Sequence, residues 1–74
     1  MKALSQIREE NGWSVDELAR KAKIKNRTIE KIESENLSYI DFQEIIRLKE
    51  FLQVEDFEEI NTFYRELYST ERKR

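Results

Sequence analysis

The segment RKAKIKNRTIEK, residues 20–31, sets Arg20, Lys21, Lys23, Lys25, Arg27 and Lys31 against one acid, Glu30. The rest of the 74-residue chain holds eight cations and fifteen acids, and the net charge is −2. Cations gathered this densely attract polyanions, and their local distribution matters more than the total charge. The other routes to chemistry are closed by missing residue types. Without histidine the chain lacks the usual general base and the commonest metal ligand. Without cysteine it has no disulfide, thiolate nucleophile or thiolate zinc site. An enzyme would have to work with carboxylates, lysines and tyrosines, with one glycine and no glycine-rich loop. We expect no enzyme, no cofactor and no metal.

The elements that must position the basic segment read as helices throughout. There is no proline, Gly12 stands alone, and strict apolar–polar alternation is scarce. The pattern predicts an all-α domain of five helices. The first covers about residues 1–11, with Leu4 and Ile7 inward and Gly12 as a left-handed stop. The second opens on a capping box, Ser14 with Glu17 three residues on, and ends near Ala22. The third runs from residue 25 or 26 to about 34, with Ile29 and Ile32 inward and Thr28 at the margin. The fourth starts at DFQE, read as a second capping box with Asp41 as cap and Glu44 as its partner. Phe42, Ile45, Ile46, Leu48, Phe51 and Leu52 form its apolar face. The fifth covers about residues 55–69, and residues 70–74 form a charged, frayed tail. Residues 1–69 make one domain.

Only Lys23 and Ile24 lie at the centre of the connection between the second and third helices. So short a link suits two helices crossing steeply, as in a helix-turn-helix, with Ala19 and Ala22 small at the crossing. The cations then converge around the start of the third helix, where the macrodipole is also positive. That end of a helix favours acids, so the arrangement costs local stability and points to a partner outside the chain.

LSQIREENGWSVDELARKAKIKNRTIEKIE, residues 4–33, resembles the lambda-repressor-like helix-turn-helix domain of the XRE type. The matching positions are Leu4, Arg8, Gly12, Ser14, Glu17, Leu18, Ala19, Ile24, Thr28, Ile29, Ile32 and Glu33. DFQEIIRLKEFLQV looks like the family's fourth helix and extends the resemblance to residue 54. It implies a five-helix domain that binds double-stranded DNA, dimerises on palindromic operators and controls transcription. Carried over by position, it puts Asn26, Arg27 and Lys31 at base edges of the major groove. Asn suits adenine N6 and N7, and Arg or Lys suits guanine O6 and N7. Arg20, Lys23 and Lys25 are placed for phosphates, which fix register without reading sequence. Arg8 and Glu33 stand where phage repressors of this type form a partly buried, structural ion pair.

Three positions depart from the family pattern. Lys23 replaces the usual turn glycine, at a cost of about 1 kcal/mol if its φ is positive. Val15 replaces a polar, phosphate-binding residue. Glu30, on the recognition helix, would repel phosphates unless it accepts from cytosine N4 or pairs with Lys31 or Asn26.

The last helix carries Phe57, Ile60, Phe63, Tyr64, Leu67 and Tyr68, more large apolar residues than so small a domain needs from one terminal helix. Phe57 and Ile60 are assigned to the core. Phe63, Tyr64, Leu67 and Tyr68 are assigned to a homodimer interface, because exposed apolar patches mark contacts. Trp13 is assigned to the core or to helix packing rather than to DNA. Glu50, Glu55, Asp56, Glu58 and Glu59 lie away from the basic end, so an acidic chain keeps one positive pole. No apolar run spans a membrane and no leader resembles a signal peptide, which reads as cytoplasmic. Two functions compete: a dimeric repressor on a palindromic operator, and a protein-interaction module, such as an antitoxin or adaptor, that uses the aromatic helix to bind a toxin or another regulator.

Overall fold

The computed structural model describes the backbone of residues 1–72 and the side chains of residues 1–67. Five helices make up the described chain: α1 (Leu4–Glu10), α2 (Val15–Ala22), α3 (Asn26–Glu33), α4 (Phe42–Leu52) and α5 (Glu58–Arg72). No strand occurs among the described residues.

Local sequence explains two of the helix starts. The Ser14 hydroxyl accepts from Glu17 N–H (3.1 Å) and the Glu17 carboxylate accepts from Ser14 N–H (2.9 Å), so α2 opens on a complete capping box. Asp41 caps α4 by accepting from Gln43 N–H. Its expected partner Glu44 does not turn back to Asp41. That side chain is buried and points at α3 instead.

The other ends differ from the sequence reading for tertiary reasons. The first helix begins at Leu4 rather than at residue 1, because Ala3 is extended and Leu4 N–H donates to the Glu59 carboxylate of α5 (3.0 Å). The last begins at Glu58 rather than near 55. Glu58 N–H donates to the Lys2 carbonyl (2.9 Å), and Asp56 takes Phe57 N–H (2.9 Å). It continues as helix through Arg72, into the segment read as a frayed tail, while residues 73–74 lie outside the described residues.

The helix ends follow one device. Gly12, Lys23, Glu35 and Gln53 all take left-handed φ, between 57° and 73°, just past α1, α2, α3 and α4. In each case the next amide reaches back to close the last turn: Trp13 to Arg8, Ile24 to Ala19, Asn36 to Lys31 and Val54 to Lys49, at 2.9–3.1 Å. Only one of the four is glycine, so three side chains sit where the left-handed region disfavours them.

The core is Leu4, Leu18, Ala19, Ala22, Ile29, Ile32, Ile45, Leu48, Phe57 and Ile60, all buried. Ala19 and Ala22 lie where α2 crosses α3, and half-buried Ile24 fills the angle between them. Trp13 packs against Phe51 with ring centroids 5.6 Å apart, and Lys21 Nζ lies 5.6 Å above the indole. Phe42, Ile46 and Phe51, read as inward from the sequence, are exposed. The buried stripe of α4 is Glu44, Ile45 and Leu48.

Candidate nucleic-acid interface

The outward face of α3 follows from its inward one. Thr28, Ile29 and Ile32 are buried, which leaves Asn26, Arg27 and Glu30 exposed and Lys31 half-buried, one turn beyond Arg27 on the same side. Lys23 and Lys25 are exposed just before the helix, and Arg20 is exposed near the end of α2. Lys25, Arg27 and Lys31 line one groove with Tyr39 and Asp41. Tyr39, which the sequence reading passed over, is 99% exposed with φ 56° at the rim of that groove. No pattern of spacing could have singled it out, because its loop has no period.

Several of these side chains are held within the chain. Asn26 Nδ2 donates to Asp16 Oδ1 (2.9 Å), and the other Asp16 oxygen meets Arg20 (3.4 Å). Lys31 Nζ donates to the Ser38 carbonyl (2.8 Å). The pairing of Glu30 with Lys31 or Asn26 is therefore replaced by contacts to Ser38 and Asp16.

The start of α3 also differs from the open anion site read from the sequence. It has no side-chain cap of its own. Glu44, from α4, accepts from Lys25 N–H (3.2 Å) with one oxygen and from the Thr28 hydroxyl with the other. An internal carboxylate thus meets the positive end of the α3 dipole. Attraction for an external anion falls to the exposed cationic side chains.

The far end of α3 is anchored to α1. Arg8 Nε and one terminal nitrogen donate to the two Glu33 oxygens at 2.7 and 3.1 Å, and the other terminal nitrogen donates to the Trp13 carbonyl at 3.0 Å. The bond to Glu33 raises the Arg8 pKa above its ordinary value, outweighing burial, which lowers it. The guanidinium keeps its charge and pins α3 at one end while Glu44 pins the other. Lys23 takes the left-handed conformation expected of a glycine, and its carbonyl accepts from Arg47 (3.0 Å).

A family model for a helix-turn-helix domain matches residues 1–65. The chain belongs to that family. The match takes in α1 to α4 whole and the first half of α5. No curated protein and no solved structure matches the chain significantly. No helix among the described residues is long and apolar enough to cross a membrane.

A second surface lies on α4 and α5. Phe57 and Ile60 are buried, Phe63 and Tyr64 are half-buried, and Leu67 is exposed. The side chain of Tyr68 lies outside the described residues. Phe42 of α4 joins this group, with its ring 6.3 Å from both Phe63 and Tyr64. Ile46, one turn along from Phe42, is 55% exposed. The sequence pattern groups Phe42 and Ile46 with the apolar face of α4. Their four-residue spacing sets them apart from the Ile45–Leu48–Leu52 stripe but does not say which of the two is buried.

Proposed function

We propose that this protein is a cytoplasmic, sequence-specific transcriptional regulator that binds double-stranded DNA as a homodimer and represses from a palindromic operator. The observation that carries the reading is the exposed α3 face of a helix-turn-helix domain, with Asn26, Arg27 and Lys31 on one helix and Arg20, Lys23 and Lys25 around its start. Asn26, Arg27 and Lys31 read base edges, and Arg20, Lys23 and Lys25 hold phosphates. The dimer forms through Phe63, Tyr64, Leu67 and Tyr68, with half-sites about 34 Å apart. No catalytic role is assigned.

Enrichment from a random duplex pool, followed by a salt titration, tests the proposal. We expect a two-fold symmetric motif. With three phosphate contacts per subunit, log affinity should fall with log salt at a slope of roughly −5. Lys25→Ala should flatten that slope by about one to two, since a dimer loses two contacts. An enriched motif without two-fold symmetry would remove the dimer from the reading, and no motif at all would remove the operator.

The exposed Phe42, Ile46 and Leu67 favour a second reading, an interaction module that binds a toxin or another regulator through α4 and α5. A homodimer formed without any partner would weaken it.

A further inference from the structure

Asp16 is an acid on a face proposed to meet DNA, and first-turn helix chemistry alone would explain it. Its contact to Asn26 says more. A carboxylate only accepts hydrogen bonds, so the side of the Asn26 amide that faces Asp16 must be its NH2 group, as the 2.9 Å Nδ2–Oδ1 contact has it. The amide is therefore not free to flip. One N–H is committed to Asp16, which leaves one N–H and the carbonyl oxygen for a base.

That remaining pair is a donor beside an acceptor. Adenine presents the complement in the major groove, an acceptor at N7 and a donor at N6. Guanine presents two acceptors, N7 and O6, and would need both amide hydrogens. Resting on the DNA-binding reading above, the geometry points to Asp16 as a positioning residue. It fixes the orientation of Asn26, making that residue select adenine and refuse guanine. Arg20, 3.4 Å from the second Asp16 oxygen, holds the carboxylate from the far side.

The experiment uses the full chain and its enriched operator. The pair read by Asn26 is found as the position whose preference is lost in Asn26→Ala. Affinities are then measured for adenine and guanine at that position in wild type, Asp16→Ala, Asn26→Ala and the double variant. Wild type should prefer adenine on the order of ten- to hundredfold. Asp16→Ala should narrow that preference by about three- to tenfold, because the freed amide can also turn both hydrogens to guanine. In the Asn26→Ala background, Asp16→Ala should leave the ratio unchanged.

Glu30→Gln separates orientation from charge. It removes an exposed negative charge from the same face without touching Asn26, so it should tighten binding to every sequence and keep the ratio. Asp16 is 70% exposed and the Ser14–Glu17 capping box does not use it, so Asp16→Ala should melt near the wild-type temperature. Four results would overturn the assignment: an intact preference in Asp16→Ala, an equal loss in Glu30→Gln, a loss that persists without Asn26, or no position at which Asn26→Ala loses preference. A wild type with no base preference anywhere would instead defeat the DNA-reading proposal, and this assignment with it.

Discussion

Replacing Glu44 should unseat the start of α3 more than its sequence position suggests. Its carboxylate takes Lys25 N–H and the Thr28 hydroxyl, and Thr28 is only 5% exposed. Glu44→Ala leaves both donors without that partner. An orphaned buried donor costs about 1–3 kcal/mol. Lys25 N–H is partly buried and recovers some of its loss from water. Removing the anion from the positive end of α3 adds about 0.3–1 kcal/mol. Relief of the carboxylate's own desolvation offsets part of this, leaving a loss of about 2–4 kcal/mol. A 74-residue domain has a total stability of only about 4–11 kcal/mol, so the loss is a large share. At about 4–8 °C per kcal/mol, the melting midpoint should fall by about 10–25 °C. Glu44→Gln keeps the shape and an acceptor for Lys25, and its amide can donate to the Thr28 oxygen. It should cost about 1 kcal/mol, the charge alone. Urea unfolding followed by Trp13 fluorescence measures both variants. A Glu44→Ala protein within about 0.5 kcal/mol of wild type would refute this account, since orphaned donors cannot be that cheap.

Arg27→Ala should cost about 1–3 kcal/mol of binding and relax preference at one base position, and an equal loss on all sequences would reassign Arg27 to phosphates. Leu67→Glu should reduce the sedimentation mass to that of one chain, since it puts a charge into the proposed dimer face; an unchanged dimer would reject that face. Gln53→Gly should stabilise the domain by roughly 1 kcal/mol in urea unfolding, because φ 57° is unfavourable for any side chain and Gly12 already closes α1 in this way. Arg8→Ala should lower stability by about 3 kcal/mol in the same assay, because it leaves the Glu33 carboxylate without its partner in a site where both side chains are less than 20% exposed.

What was legible from the sequence was what neighbouring residues decide. Ser14 and Glu17 announce α2, Gly12 announces the end of α1, and Ile29 with Ile32 fixes which side of α3 faces the core. The outward face of α3 follows from that last inference alone. What escaped reading depends on which element packs nearby. The α4 pattern contains two stripes, and which of Ile45–Leu48 and Phe42–Ile46 is buried depends on where α2 packs. The left-handed residues Glu35, Tyr39 and Gln53 carry no local mark, because none is glycine or asparagine.

The two buried carboxylates show this division at its sharpest. The helices with a serine or aspartate at the start, α2 and α4, cap themselves. The helices that start after Ala3 and Lys25, α1 and α3, have no side-chain cap of their own. Glu59 of α5 supplies the missing acceptor to Leu4 N–H, and Glu44 of α4 supplies it to Lys25 N–H. Each bridges elements far apart in sequence and does the work that Glu17 does within α2. A locally capped helix can form its first turn before the rest of the chain folds. α1 and α3 gain their caps only when α5 and α4 dock. α3 therefore owes its starting geometry to α4, the helix that also presents Phe42 and Ile46 to the proposed interface.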